Sequence, residues 1–121
     1  MNKKILVVDD ESHIRMLYQE ELQADGFVVA LSDGREPVMA VVEREQPDVV
    51  VLDIKLEGNP QTGLDLLQTI RASNTTLPVI LSSAFETFQH DLKSIAADAY
   101  CVKSIDLTGL KETIKTVLAK K

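Results

Sequence analysis

Cysteine is almost missing from this sequence, and a long apolar run is missing altogether. The single cysteine, Cys101, excludes an internal disulfide framework and a cysteine-rich zinc site. No apolar stretch approaches the roughly 20 residues of a membrane-spanning helix. After Met1-Asn2-Lys3-Lys4 only Ile5 to Val8 are apolar before Asp9, too few for the h-region of a signal peptide. Basic residues are in deficit: 13 Lys and Arg stand against 19 Asp and Glu, for a net charge of −6 and a pI near 4.8. That balance argues against direct nucleic-acid binding and against attachment to an anionic membrane. Glycine-rich phosphate cradles are absent too, with neither G-x-x-x-x-G-K-[ST] nor G-x-G-x-x-G. There is no Pro/Ser linker, low-complexity tract or charge block. What is present is a chain of 121 residues, 45% apolar. At that length a chain buries roughly two thirds of its unfolded surface without staples. Residues 1–121 are expected to form one acidic, soluble, cytoplasmic domain.

Short apolar runs rich in β-branched residues punctuate the chain: Ile5–Val8, Phe27–Ala30, Val49–Leu52, Pro78–Leu81 and Ala99–Val102. Unbroken runs, rather than alternation, suit strands covered on both faces. Helical spacing fills the intervals. Ile14, Leu17, Tyr18 and Leu22 follow Ser12, a candidate N-cap, and Gly26 closes that helix. Val38, Val41 and Val42 mark a second helix, with Pro37 near its first turn and Pro47 beyond its end. Leu64, Leu67 and Ile70 mark a third. The fourth, about Phe88 to Ala97, has the thinnest stripe, and Leu107, Leu110, Ile114, Val117 and Leu118 mark a fifth. Five strand-helix repeats predict an α/β fold, an open parallel sheet with helices on both faces.

In such sheets sites form beyond the carboxyl ends of the strands. The first strand ends in Asp9-Asp10-Glu11, the third in Asp53, the fourth in Ser82-Ser83-Ala84 and the fifth in Lys103. Three carboxylates converging on one edge repel one another unless a cation sits among them, and a hard divalent ion with oxygen ligands, Mg2+, resolves that conflict. An acidic mouth of this kind takes a metal first and a phosphoryl group through it.

Ile5-Leu6-Val7-Val8-Asp9-Asp10-Glu11, Asp48-Val49-Val50-Val51-Leu52-Asp53, Leu77-Pro78-Val79-Ile80-Leu81-Ser82-Ser83-Ala84 and Tyr100-Cys101-Val102-Lys103 together resemble the receiver domain of two-component response regulators. The likeness runs in order over essentially the whole chain. It implies a flavodoxin-like, doubly wound (βα)5 fold with a five-stranded parallel sheet in the order 2-1-3-4-5. It implies that Asp53 is the phosphoacceptor, taking a phosphoryl group from a sensor histidine kinase or a histidine phosphotransfer protein. Asp10 and Asp53 would hold Mg2+ directly, Asp9 through water, and Lys55 through its backbone carbonyl. Ser83 and Lys103 would stabilise the phosphoryl group. Ser83 and Tyr100 would switch the face made by the fourth helix, fifth strand and fifth helix, for a downstream protein target. Catalysis would be confined to self-phosphorylation and self-dephosphorylation, in a monomer or a weak phosphorylation-dependent dimer.

Ser83 is preferred to Ser82 by its spacing from Pro78, and strand alternation sends the two serines to opposite faces, so only one of them is expected to face the site. The sequence departs from the family at Ser104, where proline usually follows the lysine in a cis bond. A cis bond before a non-proline residue costs about 2.5–4 kcal/mol, so Lys103–Ser104 is expected to be trans. The segment after Asp53 is longer than the common form and carries Glu57 where proline is usual, while Ser83 to Lys103 is shorter, which predicts that the fourth helix or its entry is short. Cys101 is expected to face the core as a small hydrophobe, and His13 and His90 to lie exposed on helices. Two alternatives stand beside this interpretation. One is a pseudo-receiver, an interaction module on the same fold that is never phosphorylated. The other is a small Mg2+-dependent phosphohydrolase, disfavoured because Lys55 occupies the general-acid position and the chain has no room for a cap domain.

Overall fold

β-Branched side chains are stiff and pack well on a pleated surface, so the valine- and isoleucine-rich runs become strands that need cover on both faces. The computed structural model describes residues 2–53, 63–83, 98–102 and 107–119, with backbone alone at 63, 64, 83, 100 and 102. Its strands are β1 (Lys4–Val8), β2 (Val28–Ser32), β3 (Val49–Asp53), β4 (Val79–Ser83) and β5 (Ala99–Val102). They pair in parallel as a five-stranded sheet in the order β2-β1-β3-β4-β5, as the sequence predicts. The helices are α1 (Ser12–Ala24), α2 (Val38–Glu45), α3 (Gly63–Ser73) and a C-terminal helix, Thr108–Ala119.

Period-two alternation divides the buried strand residues into two cores. Leu6, Val8, Val50, Leu52, Val79 and Leu81 pack with Val38, Val41 and Val42 of α2 and Leu66, Leu67 and Ile70 of α3. Ile5, Val7, Val49, Val51 and Ile80 pack on the other face with Tyr18 and Leu22 of α1 and Leu110, Ile114 and Val117 of the C-terminal helix. Fully burying one such aliphatic side chain contributes roughly 1.5–3 kcal/mol, so both helical layers are held mainly by these stripes. β2 is loosely covered: it lies at a sheet edge, and Val28 is exposed.

Helix ends follow local chemistry. Gly26 takes φ +93°, and the N–H groups of Gly26 and Phe27 donate to the carbonyls of Gln23 and Leu22. This is a Schellman closure, which needs the left-handed conformation that glycine adopts freely. The start of α1 corrects the expectation for Ser12. Ser12 is the first helical residue; Glu11 holds the N-cap position in extended conformation and makes no side-chain cap. The Glu11 N–H is drawn instead to Asp9 Oδ1 at 2.9 Å, so the acidic turn itself sets where the helix begins.

Strand ends also run beyond the apolar runs. β3 takes in Asp53, β4 shifts to take in Ser82 and Ser83, and β2 runs from Val28 to Ser32. At the amino edge, Arg71 donates to the carbonyl of Leu77 and to Asp98 Oδ2, and that same carboxylate oxygen accepts from the Val79 N–H. This network ties the end of α3 to the starts of β4 and β5, away from the acidic edge. The segment 54–62, the fourth helix expected at about 88–97, His90 and the Lys103–Ser104 bond lie outside the described residues. Among the described residues no helix is long and apolar enough to cross a membrane.

Candidate functional site

β1 and β3 run side by side in register from Ile5 opposite Val49 to Val8 opposite Leu52. One step further, Asp9 leaves β1 beside Asp53, the last residue of β3. Both are buried, 2% and 4% exposed, and Asp10 beside them is half-buried. Carboxylate oxygens of Asp9, Asp10 and Asp53 all lie within 4.8 Å of one another. The predicted convergence of these three residues is therefore present in the fold.

Asp9 is fixed by the backbone around it. Its N–H donates to the Ser32 carbonyl at the end of β2 at 3.0 Å, its Oδ1 accepts from the Glu11 N–H, and its carbonyl accepts from Arg15 Nη1 at 2.7 Å. Arg15 thus brings a cation from the first turn of α1 to the base of the acidic loop. It was not singled out from the sequence, although its place one turn after Asp9-Asp10-Glu11 is the signal that would have found it.

Two like charges about 4 Å apart repel by about 4 kcal/mol at an effective dielectric of 20. A cluster of two buried carboxylates and a third beside them is a donor set for a hard cation. An octahedral Mg2+ with oxygens at about 2.0–2.1 Å spaces its ligands about 2.9 to 4.2 Å apart. The 4.8 Å span of the three carboxylates fits such an ion, with room for one of them to act through a water. The chemistry matches as well: among the described residues all the donors are oxygen, and no histidine or cysteine belongs to the cluster.

β4 adds a second feature. Ser82 is the register partner of Asp53 on one side and of Cys101 on the other. It is 2% exposed, and its hydroxyl has no hydrogen-bond partner among the described residues. Cys101 is half-buried against the α1-side core, as expected of a small hydrophobe, and burial pushes its thiol up, away from the reactive thiolate. His13 is exposed, as expected, and its Nε2 lies 3.2 Å from Glu11 Oε2. Ser83 closes β4 and Tyr100 lies within β5, but their side chains are outside the described residues, as are Lys55 and Lys103 entirely.

The family pattern described as the response regulator receiver domain matches residues 5–115. Among curated proteins the chain is similar to sporulation initiation phosphotransferase F of Bacillus subtilis, 28% identical over 100% of this chain and 98% of that protein. It is also similar to the alkaline phosphatase synthesis transcriptional regulatory protein PhoP of the same organism, 34% identical over 99% of this chain but 50% of that one. The chain therefore spans nearly all of one relative and about half of the other. Among solved structures it is similar to response regulator protein TrrA from Thermotoga maritima in complex with Mg2+-BeF. That likeness has a TM-score of 0.86 and 38% identity over 95% of this chain and 98% of that one. TrrA bound to the histidine kinase ThkA is similar as well, with a TM-score of 0.85 and 38% identity over 96% and 98% of the two chains. With the sheet order, the acidic edge and a family match over most of its length, the chain belongs to the response regulator receiver domains of two-component systems.

Proposed function

We propose that Asp53 accepts a phosphoryl group from the phosphohistidine of a sensor histidine kinase or a histidine phosphotransfer protein. The observation that carries this is the acidic cluster, with Asp53 buried at the end of β3 among the carboxylates of Asp9 and Asp10. The kinase complex and the Mg2+-BeF complex of the similar protein TrrA support it. An Asp53 carboxylate oxygen attacks phosphorus. An O–P bond forms as the P–N bond to the donor imidazole breaks, and the imidazole leaves with that electron pair.

Asp10 and Asp53 would hold Mg2+ directly, Asp9 would hold it through water, and the Lys55 carbonyl would supply a further oxygen. When bound, the ion offsets charge on the phosphoryl oxygens. Lys103 adds a second positive charge, and the Ser83 hydroxyl donates to a phosphoryl oxygen. Tyr100 follows Ser83 in reshaping the face around β5 and the C-terminal helix, a two-state element biased by a local charge. That face meets a downstream protein target. Residues 1–121 act as one receiver unit in the cytoplasm, as a monomer or a weak phosphorylation-dependent dimer, with no catalysis beyond self-phosphorylation and self-dephosphorylation.

Intact mass after incubation with acetyl phosphate tests this. One added phosphoryl group is expected with Mg2+, and none without Mg2+ or in Asp53→Asn. No adduct and no Mg2+ binding in the parent chain would leave an interaction module on the receiver fold.

A further inference from the structure

We propose that Ser82 is a positioning residue whose hydroxyl hydrogen-bonds the phosphoryl-bearing Asp53 side chain and so favours the phosphorylated state. This rests on Asp53 being the phosphoacceptor.

Three observations converge on Ser82. It is the register partner of Asp53 on the adjacent strand, and adjacent strands lie about 4.7–4.9 Å apart. Alternation places it on the Asp53 face: Val49 and Val51 precede Asp53 in the α1-side core, and Ile80 precedes Ser82 in that same core. Finally, it is 2% exposed with its hydroxyl unpartnered among the described residues. Buried hydroxyls are normally satisfied, so a strand hydroxyl left over at the edge of a reactive centre calls for an explanation. Its other lateral neighbour, Cys101, offers only a thiol, a weak donor and acceptor.

Phosphorylation adds three strong acceptor oxygens to Asp53. The Ser82 O–H then gains a partner that it does not have among the described residues of the unmodified chain. A contact made in one state and not in the other shifts the equilibrium between them. Of the two serines, only one of which alternation lets face the site, the register puts Ser82 on the face that Asp53 shares, while the Ser83 side chain lies outside the described residues.

Beryllium fluoride with Mg2+, titrated against the parent chain, Ser82→Ala and Ser82→Thr, separates this from a packing role. Ser82→Ala should bind beryllium fluoride roughly 3- to 10-fold more weakly, the range of one net hydrogen bond. Ser82→Thr, which keeps the hydroxyl, should retain the parent affinity. Mg2+ affinity alone should be unchanged in both. The unliganded Ser82→Ala chain should melt at or above the parent temperature, because an unsatisfied buried hydroxyl has been removed. Equal beryllium fluoride affinity in the parent and Ser82→Ala overturns the inference, as does an equal loss in Ser82→Thr. A parent chain that takes no beryllium fluoride in the presence of Mg2+ removes the phosphoacceptor assignment itself, and the role of Ser82 with it.

Discussion

Asp10 is the most accessible of the three clustered carboxylates, and that sets what its removal does. Asp9 is pinned at its N–H, its carbonyl and its side chain, and Asp53 is buried within β3; Asp10 is half-buried. Asp10→Asn should lower Mg2+ affinity strongly while leaving the fold intact. Without Mg2+ this variant should melt above the parent, because one of three mutually repelling charges is gone. With Mg2+ near 100 times the parent dissociation constant, the parent gains about 2.7 kcal/mol by linkage and Asp10→Asn should gain far less. Melting curves with and without Mg2+ check both halves; a variant stabilised by Mg2+ as much as the parent would take Asp10 out of the ligand set. The carboxylates were legible in the sequence because polar residues end apolar strands there, and topology alone brings those ends together. Ser82 was less legible, since Ser83 beside it matched the family spacing. The register with Asp53 and a hydroxyl left without a partner among the described residues distinguish it.

Secondary-structure elements are tied together by charge pairs as well as by apolar stripes. Lys4 at the start of β1 lies 2.8 Å from Glu45 at the end of α2. The hydrogen bond from Lys4, then that from Arg44, hold the Glu45 carboxyl below its ordinary value. A carboxyl lowered by folding contributes stability above its unfolded pKa and loses it as pH falls through the folded value. On the other side of the sheet, Lys111 of the C-terminal helix reaches Glu21 and Asp25, close to the end of α1. Burial works to lower the Lys111 ammonium, but the hydrogen bond to Glu21 and the charge of Asp25 outweigh it and hold it above the usual lysine value. Its contribution is therefore present below the unfolded lysine pKa and fades as pH rises through the folded one. Thermal melting across pH should show Glu45→Gln losing part of the acid dependence and Lys111→Met part of the alkaline dependence. Unchanged limbs would mean that these partly exposed pairs are fully screened. Strand existence was legible from β-branched runs, whereas strand ends were not. A ladder continues wherever neighbouring backbones pair, which carried β3 through Asp53 and β4 through Ser82 and Ser83.

Across the whole molecule, five parallel strands place Asp9, Asp10, Asp53 and Ser82 on one edge, and two separate cores pack against the sheet from both faces. Alternation of strand and helix was enough to predict this layering, because a parallel sheet demands helical cover on both sides. The order of the strands came instead from resemblance to a family, since apolar patterning does not say which strand lies beside which. The charge of −6 has its local counterpart in the acidic edge, where a phosphoryl group needs a cation to approach. The central claim is that this edge directs phosphoryl transfer to Asp53 and to no other carboxylate. Borohydride reduction of the acetyl phosphate-treated chain, followed by peptide mass mapping, tests it most directly, because an aspartyl phosphate is converted to homoserine where it stood. Homoserine at position 53 alone, dependent on Mg2+, is the predicted result. Homoserine at position 9 or 10, or at position 53 regardless of Mg2+, would contradict it.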